Sequence, residues 1–332
     1  MPRLDFADAG KQDETIRKIL SGDPQMVARL LTLVENGSRE AIPFLRALFP
    51  HTGCSFSIGV TGAPGAGKST LVDKLAESYR AAGDRVGIIA VDPSSPFTGG
   101  AILGDRIRMQ ARNLDPGIFI RSMATRGHMG GLASATADAM MVLDAAGFGR
   151  VLIETVGVGQ DEVEIAKTAD ATLVLLVPGM GDDIQVMKAG IMEIGDVFVV
   201  NKADHEGAER IEAELNSLLS MSSRSDGWAP PIIRTVASEG RGIAECVRAI
   251  EACRSFLRQS RHRREESVRN QKERLLDIAC AQTRNSLLQD KETAARIQEL
   301  AVLIAERKLD PFTAAEEVLR LHRLTVNPAP RS

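Results

Sequence analysis

The densest chemical pattern in the chain is Gly62-Ala63-Pro64-Gly65-Ala66-Gly67-Lys68-Ser69-Thr70. Its spacing, G-x-x-x-x-G-K-[ST], follows the apolar run SFSIGVT and opens KSTLVDKLAESYRAAG, the strand-loop-helix context that a phosphate-cradling loop requires. Gly62, Gly65 and Gly67 let the backbone curl until its N–H groups point inward at phosphate oxygens. The following helix adds the positive end of its dipole. Lys68 supplies a cation for the β- and γ-phosphates, and Ser69 a hydroxyl for Mg²⁺.

A second pattern reads the base. Asn201-Lys202-Ala203-Asp204 ends the apolar run DVFVV. The Asp204 carboxylate can accept two hydrogen bonds, from guanine N1–H and the exocyclic N2 amine, and adenine offers neither. Hydrogen bonds to a charged group contribute about 1.5–3 kcal/mol each, so one aspartate separates GTP from ATP by orders of magnitude. Asn201 is placed to bridge guanine N7 and the phosphate loop, while the Lys202 stem packs along the base. The remaining wall is expected in TVASEG, at Ala237 and Ser238.

A third pattern concerns the switch. Many GTPases carry Asp-x-x-Gly followed at once by Gln. In ETVGVGQDE the acid is Glu154, the glycine is Gly157, and the glutamine is displaced to Gln160. Glu154 has one more methylene than Asp and can reach a metal's water shell from further back. Gly157 would keep a backbone N–H beside the γ-phosphate, an interaction that hydrolysis releases. Gln160 is out of register for orienting water, which argues for hydrolysis completed by a partner. Asp92 ends the second apolar strand, close to the phosphates if that strand neighbours the phosphate-loop strand. Asp105 opens the helix GDRIRMQARN. Mg²⁺ takes octahedral oxygen coordination and keeps several waters, so Ser69, Asp92, Asp105 and Glu154 form its candidate shell. The alternatives are that Asp105 caps its helix and Asp92 starts a turn before Pro93.

These residues need a frame. Residues 12–50 show apolar positions at spacings of three and four, which predict short amphipathic helices, with Asp23-Pro24 a start signal and Gly37 a stop. From residue 55, seven apolar runs alternate with helical stretches: SFSIGVT, RVGIIAVD, GIFIRSM, RVLIET, ATLVLLVP, DVFVVNKAD and PIIRTVAS. The pattern predicts an α/β fold with a mostly parallel sheet covered on both faces. Right-handed crossovers would gather the strands' C-terminal ends on one edge, where ligands bind. After residue 258 the strands stop, and three helical stretches follow whose apolar positions need a partner; a second copy of the chain is the candidate. The expected division is an N-terminal helical extension (1–50), a P-loop GTPase domain (51–258) and a C-terminal helical dimerisation arm (259–332). The extra strand between Lys68 and Glu154 resembles the accessory-GTPase and signal-recognition class of P-loop NTPases.

Composition excludes some functions. The 332 residues are 44% hydrophobic and 26% charged, with a net charge of −3, which lacks the basic footprint of a nucleic-acid coat. No apolar run approaches a membrane span and the N-terminal stretch lacks a secretory h-region, so a cytoplasmic protein with no membrane partner is expected. Cys54, Cys246, Cys253 and Cys280 have no CxxC spacing and read as buried free thiols.

GAPGAGKST, AVDPSSPFTGGAILGDRIRM, HMGGLASAT, ETVGVGQDE and GDDIQVMKAGIMEIGDVFVVNKAD occur in one order, between two helical flanks. Together they closely resemble the MeaB/ArgK family, to which the methylmalonic aciduria type A protein belongs. The resemblance implies a homodimeric GTPase, with GTP/GDP and Mg²⁺, that chaperones an adenosylcobalamin-dependent acyl-CoA mutase, most often methylmalonyl-CoA mutase. It would gate cofactor loading and protect or rescue the mutase. Motif matching carries phosphate binding onto Gly62 through Thr70, the metal shell onto Ser69, Asp92, Asp105 and Glu154, and base reading onto Asn201, Lys202 and Asp204. QVMKAGIME resembles a third switch in which Lys188 swings toward the phosphates when the mutase binds; a surface lysine on a helix is the alternative. No cobalamin-binding Asp-x-His-x-x-Gly occurs; in RGHMGG, Arg126 stands at the Asp position and His128 reads as part of a glycine-rich loop. Two other functions stand beside this one. One is a P-loop kinase acting on a lysine/arginine/ornithine transport binding protein. The other is a nickel-inserting accessory GTPase, for which the chain lacks Cys/His ligand clusters.

Overall fold

Each of the seven apolar runs becomes a strand in the computed structural model, which describes residues 9–92, 115–124, 131–155, 168–179, 194–221, 224 and 226–321. The strands are β1 (Phe56–Gly62), β2 (Val86–Asp92), β3 (Ile118–Ala124), β4 (Arg150–Thr155), β5 (Ala171–Leu176), β6 (Val197–Val200) and β7 (Ile232–Arg234). They form one sheet in the order β3-β2-β4-β1-β5-β6-β7, and every pair is parallel. β1, β4, β5 and β6 are buried along their whole length, as strands covered on both faces must be.

Alternate residues serve different cores. Phe56, Ile58, Val60 and Leu152 pack with the helices α4 (Lys68–Ala81) and α7 (Ile243–Gln259). Ile89, Val91, Val151, Ile153 and Met123 pack on the other face with α5 (Gly131–Ala145) and the N-terminal helices α1 (Ala9–Leu20), α2 (Pro24–Glu35) and α3 (Ile42–Leu48). Val174, Leu176, Phe198 and Val200 meet α6 (Ala208–Met221).

The punctuation of α2 follows its sequence. Asp23 Oδ1 accepts from the N–H groups of Gln25 and Met26, both at 2.9 Å. At the other end Gly37 takes φ 61°, and the N–H groups of Gly37 and Ser38 return to the carbonyls of Val34 and Leu33, a left-handed stop that glycine adopts without strain.

The sheet order alters one expectation. The closeness of Asp92 to the phosphates depended on β1 and β2 being neighbours, and β4 lies between them. Asp92 pairs with Ala124 of β3, two strand spacings, about 10 Å, from β1. Local patterning carries no information about which crossover inserts a strand.

The chain divides into two compact units, Met1–Arg263 and Arg264–Ser332. The helices α1–α3 belong to the first. The C-terminal stretch holds α8 (Arg261–Gln289), α9 (Lys291–Ala305) and α10 (Pro311–Leu321). Asp290 caps α9, and Arg296 of α9 pairs with Glu317 of α10 at 2.7 Å. Val268, Leu275, Leu276, Ile278 and Leu288 of α8 are exposed. Cys246 and Cys253 are buried as expected, whereas Cys54 and Cys280 are exposed. No helix among the described residues is long and apolar enough to cross a membrane.

Candidate nucleotide-binding site

The phosphate loop turns between the end of β1 and the start of α4. Gly67 caps α4 with φ 92°, and a Cβ there would overlap Asn201 Nδ2. A Cβ on Gly62, at φ 143°, would overlap the carbonyl oxygen of Leu175. Both positions therefore need glycine for conformation and for space. Ala66 N–H donates to Ala63 O at 3.1 Å, and Leu71 N–H to Gly67 O at 2.9 Å, closing the loop onto the helix. Lys68 is buried, and its Nζ donates to the carbonyl oxygens of Gly62 and Ala63. The cation thus lies against the inner wall of its own loop.

Ser69, one residue on, meets the switch strand. Its Oγ donates to Oε1 of Glu154, which is buried in β4. The register places Glu154 level with Val60 of β1 and Ala90 of β2. Side-chain alternation along β4 sends Arg150, Leu152 and Glu154 toward α4. From this level the extra methylene of Glu lets the carboxylate reach the hydroxyl at the helix start. A hydroxyl and a carboxylate together are an all-oxygen donor pair, the chemistry Mg²⁺ prefers, and because that ion retains several waters two protein oxygens suffice. No group of three or more His, Cys, Asp or Glu able to hold a metal occurs among the described residues. Asp105, Gly157, Gln160 and Lys188 lie outside the described residues, as does the side chain of Asp92.

The base-reading motif sits at the same edge of the sheet, just past β6. Asn201 is buried, and its side-chain amide bonds to two loops. Its Nδ2 donates to Ala66 O at 2.8 Å, and its Oδ1 accepts from Thr235 Oγ1 at 3.0 Å and from Ala237 N–H at 3.1 Å. Two donors on the oxygen leave only one orientation of the amide. Asn201 therefore ties the phosphate loop to the loop after β7. Lys202 follows with φ 54°, turning the chain so that Asp204 stands exposed beyond it. Ala203 N–H donates to Thr235 O at 3.0 Å, which pins this turn to the end of β7. Ala237 joins the site by holding Asn201 through its N–H, and Ser238 beside it is exposed. Sequence reasoning missed Thr235. No signal in TVASEG singles out its hydroxyl, which acquires its role only once β6 and β7 pair.

The chain is similar to several known proteins. A family model described as Methylmalonyl Co-A mutase-associated GTPase MeaB matches residues 27–296. A relative from Pyrococcus abyssi is 47% identical over 315 residues, 93% of this chain and 96% of its own. The GTPase ArgK of Escherichia coli is 38% identical over 71% of this chain and 74% of its own. Among solved structures, a crystal structure of an LAO/AO transport system kinase superposes with a TM-score of 0.66 at 26% identity, covering 95% of this chain and 99% of that one.

Proposed function

This chain belongs to the MeaB family of GTPases, and we propose that it uses GTP binding and hydrolysis to time the service of an adenosylcobalamin-dependent acyl-CoA mutase. Methylmalonyl-CoA mutase is the favoured client, from the family's description. The observation that carries the reading is the Asn201 bridge, which supports a site where guanine and phosphate contacts are sensed as one unit. In this reading the complex gates cofactor loading and protects or rescues the mutase.

The residues divide the work. Backbone N–H groups of the loop from Gly65 through Thr70 would hold the β- and γ-phosphates. Lys68 exchanges its contacts with Gly62 O and Ala63 O for phosphate oxygens. Ser69 and Glu154 would hold Mg²⁺, which when bound supplies charge neutralisation for the phosphate oxygens. Asp204 reads guanine N1–H and N2, Lys202 covers the base, and Ser238 edges the pocket beside Ala237. Hydrolysis forms a bond from a water oxygen to the γ-phosphorus and breaks the γ-phosphorus bond to the β-bridging oxygen. Both of the water's protons leave with the phosphate, giving GDP and dihydrogen phosphate, which then releases one proton to solvent according to pH. Such transfer is mostly positioning and charge stabilisation. With Gln160 three residues past Gly157, the assembly relies on the client, or on Lys188 moved by it, to complete water positioning.

The exposed large apolar side chains of α8, Val268, Leu275, Leu276, Ile278 and Leu288, support a homodimer built on the C-terminal helices, where a second copy would cover them. A second reading, transfer to a transport binding protein, is suggested by the kinase name of the superposed crystal structure. Incubation with γ-labelled GTP separates the two. Free phosphate supports hydrolysis, and label on a protein acceptor supports the kinase. Client choice is tested by pull-down of a purified mutase with and without a non-hydrolysable GTP analogue. Nucleotide-dependent capture is expected, and capture indifferent to nucleotide contradicts the timing role.

A further inference from the structure

Thr61 lies in β1 one residue before Gly62, where the phosphate loop begins. It is 1% exposed, and its Oγ1 finds no hydrogen-bond partner among the described residues. The polar side chains around it are engaged. Ser69 meets Glu154, Lys68 holds the carbonyls of Gly62 and Ala63, and Asn201 holds Ala66 and Thr235. Thr155 is buried too, and its Oγ1 donates to Val60 O at 3.3 Å. Burial takes water away from a hydroxyl, and an apolar side chain of the same shape would escape that penalty. The unpaired Thr61 hydroxyl therefore calls for a partner that a bound molecule or another state supplies.

The place of Thr61 in the sheet points to the state. Val60 pairs with Glu154 across β1 and β4, and both face α4. Successive strand residues face opposite ways, so Thr61 and Thr155 stand together on the other face. There Thr61 is level with Val174 of β5, and Thr155 with Val91 of β2. Thr61 leads into the phosphate loop, and Thr155 leads toward Gly157, expected beside the γ-phosphate. The two strand ends that would respond to a γ-phosphate thus carry neighbouring hydroxyls, one bonded and one unpaired. We infer that Thr61 is a positioning residue for GTP: its hydroxyl gains a hydrogen bond when GTP and Mg²⁺ fill the site and lacks it with GDP, which adds to the preference for GTP. A contact made in one state alone shifts the balance toward that state. The inference rests on the phosphate loop holding GTP and on ETVGVGQDE acting as the switch.

The test uses the full chain as wild type, Thr61→Val and Thr61→Ser, with two readouts. One is denaturant unfolding without nucleotide. The other is affinity for GDP and for a non-hydrolysable GTP analogue, both with Mg²⁺. Thr61→Val keeps the branched shape and loses the hydroxyl. Without nucleotide it should be at least as stable as the wild type, because no hydrogen bond is removed. It should nevertheless bind the GTP analogue about three- to tenfold more weakly relative to GDP, the scale of one hydrogen bond. Thr61→Ser restores the hydroxyl and should recover the wild-type ratio. An unchanged ratio in Thr61→Val overturns the inference, as does a ratio that Thr61→Ser leaves at the valine value. A Thr61→Val chain less stable than the wild type without nucleotide also overturns it, since the hydroxyl would then hold a permanent bond, such as one to a buried water. A wild type that binds neither nucleotide removes the phosphate-loop reading itself, whereas wild-type binding with no effect of Thr61→Val removes only the role of Thr61.

Discussion

Asn201 Nδ2 donates to the carbonyl oxygen of Ala66 at 2.8 Å, joining residues 135 apart in the chain. The same amide accepts from Thr235 and Ala237, so three loops at the C-terminal edge of the sheet share one side chain. Asn201→Ala removes all three hydrogen bonds at a buried position. A stability loss of about 1–3 kcal/mol is expected from the groups left unsatisfied, read by thermal or denaturant unfolding. GDP affinity should fall further than stability alone explains. Thr235→Val removes only one donor and should cost less on both measures. Equal GDP affinity in Asn201→Ala and the wild type would argue against a shared site.

Base choice tests Asp204. In Asp204→Asn one acceptor becomes a donor, which opposes guanine's N2 amine and matches the 2-oxo group of xanthine. GTP affinity should drop about 10–100-fold, the loss of roughly one charged hydrogen bond, with XTP gaining. Competition binding with the two nucleotides checks this, and an unchanged GTP/XTP ratio removes the assignment.

The hydrogen bond between Ser69 and Glu154 predicts a metal-linked defect. Glu154→Gln keeps the size and loses the charge. Its hydrolysis rate should fall at least about tenfold, and half-maximal rate should require more Mg²⁺. A lower rate with an unchanged Mg²⁺ requirement would point to a packing role for Glu154 instead.

The cysteines carry a pH prediction. Burial pushes the Cys246 thiol up to about 12. The unfolded chain, with an ordinary thiol near 8.5, ionises first as pH rises and then binds fewer protons than the folded state. Stability should therefore fall with pH from about 8.5 toward 12, and Cys246→Ser should lessen that slope in unfolding titrations. Thiol reagents at neutral pH should label exposed Cys54 and Cys280 quickly, and buried Cys246 and Cys253 only on unfolding.

Much of the fold was legible in the residues. All seven strands stood out as apolar runs, most plainly β1, β4, β5 and β6, because buried parallel strands tolerate little else. Gly67 and Asn201 each fell in a motif, although nothing in either motif explains why Gly67 must lack a Cβ; the reason is Asn201 Nδ2 lying against it. The insertion of β4 between β1 and β2 was hidden, because strand order follows from crossovers and global packing. Thr235 was hidden as well, since its hydroxyl matters only once β6 and β7 lie side by side. The exposure of Cys54 was illegible for a similar reason: it sits in a surface turn whose N–H groups, from Gly53 to Ser55, are gathered by the distant carboxylate of Asp144.

The most direct test of the proposed function is GTP turnover by the full chain, alone and with a purified adenosylcobalamin-dependent methylmalonyl-CoA mutase. The displaced Gln160 and the client-completed site predict slow turnover alone and a rise of about tenfold or more with the mutase, equivalent to lowering the barrier by about 1.4 kcal/mol or more. A rate that stays the same at saturating mutase would contradict it.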